Sequence, residues 1–430
     1  MTPTNAADAV LDDILAAVAG AEPAVIVDSP PGAGKTFLVE LAVHTAASCG
    51  DKVMVAAQTN AQLLDLTARL CRAYPDVDFG LLVRSGLEPP SELVNHSRLH
   101  VATSRKGLPD IVLATTAKWA TVGARNTFDL AIIDEAYQLL DASFAGIATQ
   151  ATRFLFVGDP GQIAPVVATD VRRWLTDPAG PQVPAPTALR HRRPDDVRVF
   201  QLPTSRRLGQ DTVDVVQPTF YPSLMFESSR PPRQLTGTDV PGWLHDAERR
   251  GHELVMRELP TAPFAPTADP GVAAAIADTV RAVLGCVVET EHGTRPMRPD
   301  DVIVACPHVR QVVAVRAELG EELAAVRCDT VERVQGTEAE VCVTWHALSG
   351  QIDPSEFAKD AGRLCVSVSR HKCLAVVVGR AGAIDVLDRV GAGDRRSFVA
   401  DDPAYRGWQA HRDLLDRLHA DGRVSAYESG

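Results

Sequence analysis

Residues 29 to 36, Ser-Pro-Pro-Gly-Ala-Gly-Lys-Thr, limit what this chain can fold into more than any other stretch. An apolar, β-branched run from Ala24 to Val27 precedes them, bounded by Pro23. From Lys35 onward Phe37, Leu38, Leu41 and Ala42 recur at helical spacing. A strand, a glycine-rich turn, Lys-Thr and a helix make a phosphate-binding loop. Its backbone N–H groups and helix N-terminus face a triphosphate, the lysine reaches the β/γ-phosphates and the threonine hydroxyl holds Mg²⁺. Ser29 stands where the strict pattern has glycine, but Gly32 and Gly34 keep the two places where backbone must come closest to phosphate. The stretch predicts nucleotide binding by Pro31, Gly32, Ala33, Gly34, Lys35 and Thr36, with Thr36 also a metal ligand.

Such a loop needs a parallel sheet around it, and 430 residues are enough for two or three domains with their own cores. The net charge of −12 argues against a generally basic nucleic-acid-coating protein, so any polyanion must be held by a local surface. Eight dispersed cysteines, without Cys-x-x-Cys or a zinc-spaced His cluster, read as thiols in a reducing compartment. No apolar run reaches membrane-spanning length and the start lacks a signal-peptide pattern, so the expected setting is cytoplasmic, with no membrane partner.

Taken in order, Ala6 to Ala19 reads as an amphipathic helix. Residues 52 to 57 read as a strand followed by Gln58, Thr59, Asn60 and a helix, and residues 110 to 116 as a strand ending in hydroxyls. Residues 128 to 138 form a buried strand that finishes in Asp134 and Glu135. Ligands in open α/β sheets sit at the carboxyl ends of the strands, so both carboxylates should face the phosphate loop. Asp134 can then hold Mg²⁺ and Glu135 can take a proton from an attacking water. Residues 153 to 162 bring Gln162 to another strand end, where an amide can touch a γ-phosphate.

Five prolines between 178 and 194, with eight arginines against four aspartates from 170 to 210, predict a linker over residues 176–200. No single arginine there is singled out. Residues 208–299 are weakly periodic, Ala273 to Leu284 excepted, and read as the irregular start of a second lobe. A second αβ succession follows: a strand at 301 to 307, a helix from Gln311 to Leu319, strands at 326 to 330 and 340 to 345, and a last strand from Leu374 to Val378. A closing helix spans roughly Tyr405 to His419. The expected domains are 1–175, the linker 176–200, and 201–430.

The ordered series SPPGAGKT, VAAQTN, IVLATT, IIDEAYQ, FVGDPGQ, LPTSRR, VIVACPHVRQ, TVERVQGTEAEV and VSVSRHK resembles the motif series of the superfamily 1 helicases. Within it the chain is most similar to the subgroup of RNA-surveillance and replication-maturation helicases with a DEAxQ motif. The resemblance runs from about residue 24 to about residue 380. It implies an α/β fold of two tandem RecA-like P-loop NTPase lobes with parallel sheets, ATP in the cleft between them, and a single-stranded nucleic acid across both. It implies that Lys35 and Thr36 bind phosphate and Mg²⁺, that Asp134 and Glu135 take Mg²⁺ and the attacking water, and that Gln162 senses the γ-phosphate. Arg207 and Arg370 become arginine fingers, with Arg206 the competing register for the first. Gly336 and Glu338 join the nucleotide site, Glu338 at the ribose. Thr59, Asn60, Thr116 and Thr330 match positions that grip the phosphodiester backbone.

Asn5 or Ala6 falls where relatives have an adenine-reading glutamine, and the stretch from Leu70 to Asp110 is too short for their accessory barrel. A protein partner could then supply strand separation. The expected activity is a nucleic-acid-stimulated ATPase that moves 5′ to 3′ on single strands, DNA before RNA. The alternatives are an ATP-dependent switch that binds a protein without stepping, and a small-molecule P-loop kinase, which would need only one lobe.

Overall fold

The computed structural model describes residues 3–123, 127–165, 167, 170–174, 177–237, 240–262, 267–391 and 403–427. Contacts divide the chain into two units, residues 1–160 with 164–203, and residues 161–163 with 204–430.

Unit 1 is built on eight strands: β1 (Ala24–Asp28), β2 (Val53–Ala57), β3 (Phe79–Leu82), β4 (Leu99–Ala102), β5 (Ile111–Thr115), β6 (Phe128–Ile133), β7 (Ala151–Gly158) and β8 (Val197–Gln201). Their order is β4-β3-β5-β2-β6-β7-β1-β8, and every pairing is parallel. The inner strands β1 and β2 are buried along their whole length, as a sheet covered by helices on both faces requires. Helices Lys35–Ser48 and Asn60–Ala73 supply Leu38, Val39, Leu63 and Leu66 to the core on one face.

One expectation changes here. The expected linker is not one: residues 177–200 hold the helix Ala185–Arg192 and β8, which pairs with β1 from Ala24↔Val197 to Asp28↔Gln201. Pro184 is the residue before this helix and Pro186 lies in its first turn, where proline costs no hydrogen bond. The stretch from Leu70 to Asp110 supplies the sheet strands β3 and β4.

Unit 2 carries a six-stranded parallel sheet in the order 327–330, 302–306, 339–345, 371–380, 254–259, 424–426. The strand expected at Leu374 to Val378 is longer, His371–Arg380, and it is not the last, because Val424–Ala426 pairs beyond Leu254–Leu259. Residues 208–299 hold more regular structure than expected. They give the helices Gln210–Phe220, Gly242–Arg250 and Pro270–Leu284, the buried strand Leu254–Leu259, and a separate antiparallel sheet of Gln234–Thr236, Val287–Thr290 and Gly293–Pro296. Two parallel α/β sheets, each wrapped by helices, make two RecA-like lobes.

Candidate functional site

The candidates on the unit 1 sheet follow the carboxyl ends of strands. The phosphate loop follows β1, Thr59 and Asn60 follow β2, Thr116 follows β5, and Asp134 and Glu135 follow β6, while Asp159, not singled out in the sequence, follows β7. Gly32 has φ 74° and Gly34 φ 94°, left-handed values that L side chains rarely adopt, so these two turn positions do require glycine. Ser29 is fully buried and is not among the positive-φ residues, so its backbone does not need the glycine of the strict pattern. Its amide donates to Gly158 O at 2.9 Å, which ties the base of the loop to the end of β7.

The lysine of the loop faces carboxylates. Lys35 Nζ lies 3.4 Å from Glu135 Oε1 and 3.9 Å from Asp159 Oδ2. Asp134 is buried, and its Oδ1 accepts from the Glu135 amide at 2.9 Å. Burial, then the neighbouring Glu135, raise its carboxyl to about 7 against the opposing pull of Lys35. Glu135 has φ 48°, the one positive value among the described non-glycine residues. A side chain held in that region stores strain, and such strain gathers at functional positions.

Three buried or half-buried groups missed in the sequence hold this arrangement. Asp28, at the end of β1, accepts from the Tyr137 hydroxyl at 2.6 Å and from Arg190 Nη2 at 2.5 Å. The phosphate loop, the DEAYQ segment and the helix Ala185–Arg192 therefore meet at one carboxylate. Gln58 links two further motifs: its Nε2 donates to Asp134 O at 3.3 Å and its Oε1 accepts from the Thr116 hydroxyl at 2.8 Å. An acidic residue closing an apolar strand was the only sequence signal for Asp28. Arg190 lay among arginines that nothing distinguished.

The expected backbone grips differ in availability. Thr59 is exposed and caps the helix Asn60–Ala73, its hydroxyl accepting from the Gln62 amide at 3.2 Å. Thr116 and Thr330 are buried, and the Thr116 hydroxyl points its hydrogen to Ala57 O or Gln58 Oε1.

Unit 2 groups the other candidates. Arg207 Nε donates to Glu338 Oε2 at 2.8 Å and its Nη1 to Ser369 O at 3.3 Å, while Lys372 Nζ lies 2.7 Å from Glu338 Oε1. Burial pushes the Glu338 carboxyl up, but Arg207 and Lys372 outweigh it and hold it down at about 2. Arg206 is exposed. Arg370 is buried beside Ser369, whose hydroxyl accepts from its Nη2 at 3.0 Å. Gly336 has φ 81° in the turn before Glu338. Gln162, expected with the first domain, falls in unit 2, where its Oε1 accepts from Gln335 Nε2 at 3.2 Å. The side chains of Asn5 and Ala6 lie outside the described residues.

Among the described residues no three His, Cys, Asp or Glu side chains are placed to hold a metal by themselves. Thr36 and Asp134 are hard oxygen donors of the kind Mg²⁺ takes alongside phosphate oxygens and water. Asp134 and Glu135 set two carboxylates side by side, and a cation there would offset their repulsion. The residues fit that ion.

Two family models, each described as an AAA domain, match residues 12–204 and 201–382. The chain is similar to the "DNA replication ATP-dependent helicase/nuclease DNA2" of Xenopus laevis, 22% identical over 393 residues, which is 83% of this chain. It spans only 36% of that protein's length. Among solved structures, the Arterivirus nonstructural protein 10 helicase is 16% identical with a TM-score of 0.45, covering 88% of this chain and 64% of its own. The same helicase in complex with DNA is 17% identical with a TM-score of 0.44, covering 87% and 63%.

Proposed function

We propose that this chain, a P-loop NTPase of the superfamily 1 helicase type, hydrolyses ATP when bound to single-stranded nucleic acid and uses the cycle to move along it. The observation that carries the reading is the convergence of Lys35, Glu135 and Asp159 at neighbouring strand ends above a phosphate loop. Lys35 would hold the β/γ-phosphates in line for attack. Glu135, strained and held at one face of Lys35, would orient the attacking water and take its proton. Mg²⁺, held by Thr36 and Asp134, would supply positive charge to the phosphate oxygens. Gln162 would respond to the γ-phosphate, Gly336 and Glu338 would contact the nucleotide, and Arg207 and Arg370 would stabilise the charge on the transferring phosphoryl group.

Contacts to the phosphodiester backbone fall first to Thr59 and Asn60, the more exposed pair, and then to Thr116 and Thr330. Backbone contacts carry no base information and permit stepping on any sequence. DNA is the proposed track, in line with the relative named for DNA replication, and 5′ to 3′ the proposed direction. A partner protein is proposed to help where strands must be separated. A cytoplasmic, reducing setting accords with eight cysteines that are all free thiols.

The test is steady-state ATP hydrolysis with and without single-stranded DNA or RNA, beside Glu135→Gln. Stimulation by one polymer, lost in the variant, supports the motor and names its track. Hydrolysis indifferent to both polymers sinks it and favours an ATP-dependent switch that binds a protein partner.

A further inference from the structure

Unit 2 holds a cavity of about 450 Å³, within the range that accommodates a specific ligand or anchoring side chains. It lies among the small antiparallel sheet, the helix Gly242–Arg250 and the start of the strand His371–Arg380, all residues that the proposed ATPase does not use. Its lining is amphipathic. Leu235, Leu244, Ala247 and Leu374 supply an apolar part, while Glu248, Glu253, Glu289 and Glu291 set four carboxylates against one guanidinium, Arg233.

That guanidinium is already engaged. Arg233 Nη1 donates to Glu340 Oε1 at 2.7 Å and its Nη2 to Glu291 Oε1 at 3.3 Å. Glu253 is paired with Arg230, so Glu248 and Glu289 are the lining carboxylates without a cation among the described residues, and the remaining field is acidic and repels a polyanion. The site therefore asks for positive charge beside apolar surface.

We infer that this cavity is a docking site for a segment of a partner protein that pairs a lysine or arginine with apolar side chains. A peptide brings the cation and the apolar anchor at once. A polyamine lacks the anchor, and a nucleic acid has the wrong charge. This inference stands apart from the ATPase reading, because binding can be measured without nucleotide.

The experiment is fluorescence anisotropy with the full chain and a labelled, end-capped Leu-Arg-Leu-Arg-Leu peptide, beside Leu-Gln-Leu-Gln-Leu and Leu-Glu-Leu-Glu-Leu. The expected result is saturable binding of the arginine peptide only, weakened about tenfold or more by Glu289→Lys and by Glu248→Lys. Both changes alter side chains at the cavity edge without opening the core. Asp13→Lys, on an exposed helix face of unit 1 and outside the cavity lining, should leave binding unchanged. The inference is overturned if no peptide binds to millimolar concentration, if Asp13→Lys weakens binding as much as Glu289→Lys, or if spermidine displaces the peptide at equal concentration. The second outcome would mean that net charge alone attracts the peptide, and the third that the apolar part contributes nothing.

Discussion

Tyr137 and Asp28 stand 109 residues apart in sequence, and the hydroxyl of one donates to the carboxylate of the other over 2.6 Å. Arg190 completes the trio from a third segment. The Asp28 side chain is 5% exposed and that of Arg190 32%, so the two partners do not lose equally when the pair is broken. Arg190→Ala leaves a buried carboxylate with one hydroxyl. A fully buried pair would cost 3–5 kcal/mol to break in this way, and the partial exposure of Arg190 reduces that to about 2 kcal/mol. Asp28→Asn leaves a guanidinium that can still reach water, and should cost about 1 kcal/mol. The double variant should be no worse than Arg190→Ala alone. Urea unfolding of the three variants checks the order; equal losses for the two single changes would mean that the ion pair does not hold the loop.

Glu135 offers a test of strain. At φ 48° an alanine carries the left-handed penalty that glycine avoids. Glu135→Gly should therefore be more stable than Glu135→Ala by about 1 kcal/mol, the reverse of their order at an ordinary position. Both should lose turnover by about 10²- to 10⁴-fold if Glu135 handles the attacking water. Thermal unfolding ranks the pair, and hydrolysis rates separate strain from chemistry.

What the sequence made legible depended on how each element is buried. β1, β2 and β6 are central strands of a parallel sheet, covered on both faces, and they read directly as apolar runs. The strand Leu254–Leu259 was hidden because it carries Arg257 and Glu258. Arg257 is buried nonetheless, stacked by Trp243 and Tyr427 and bonded to Thr279 at 2.7 Å. No local pattern announces that such an arginine has aromatic neighbours 14 positions before it and near the chain's far end. The helix Ala185–Arg192 was hidden for another reason, since Pro184 and Pro186 signal a break wherever they fall, and a helix start is one such place. Of the site, the loop and the Asp134–Glu135 pair were legible because their chemistry is local. Asp28 with Arg190, and Glu338 with Arg207, exist only through distant segments.

Three buried histidines set an acid limit on unit 2. Burial pushes His346 down to about 4, His371 to about 3, and His411 well below the usual range. Each is neutral in the fold and takes up a proton near 6.5 once unfolded. Above pH 6.5 neither state binds that proton and stability does not change. As pH falls from 6.5 towards 4 the unfolded chain gains protons that the fold refuses, so stability drops throughout that window. His346 packs edge-on against His411, and neither of its ring nitrogens has a partner among the described residues. His346→Leu should therefore flatten the fall between pH 6.5 and 4 while costing little at pH 8. Urea midpoints measured across that range decide the matter; an unchanged slope would clear His346 of the effect.

Arg207 and Glu338 make the sharpest kinetic prediction. Both Glu338 oxygens are occupied, one by Arg207 Nε at 2.8 Å and the other by Lys372 at 2.7 Å. A carboxylate held down at about 2 by two cations acts first as an anchor for them. If Arg207 stabilises the transferring phosphoryl group, Arg207→Ala should lower kcat by about 10³-fold, in the range of a lost arginine finger. Arg207→Lys should recover little of it, because an ammonium cannot reproduce the fork that bonds Glu338 and Ser369 O together. Arg206→Ala, at an exposed position, should change kcat by about twofold or less. Glu338→Gln then discriminates between two roles for the carboxylate. As the anchor of Arg207 it lowers kcat by about tenfold with KM for ATP nearly constant; as a ribose contact it raises KM and leaves kcat alone. The two occupied oxygens favour the first result.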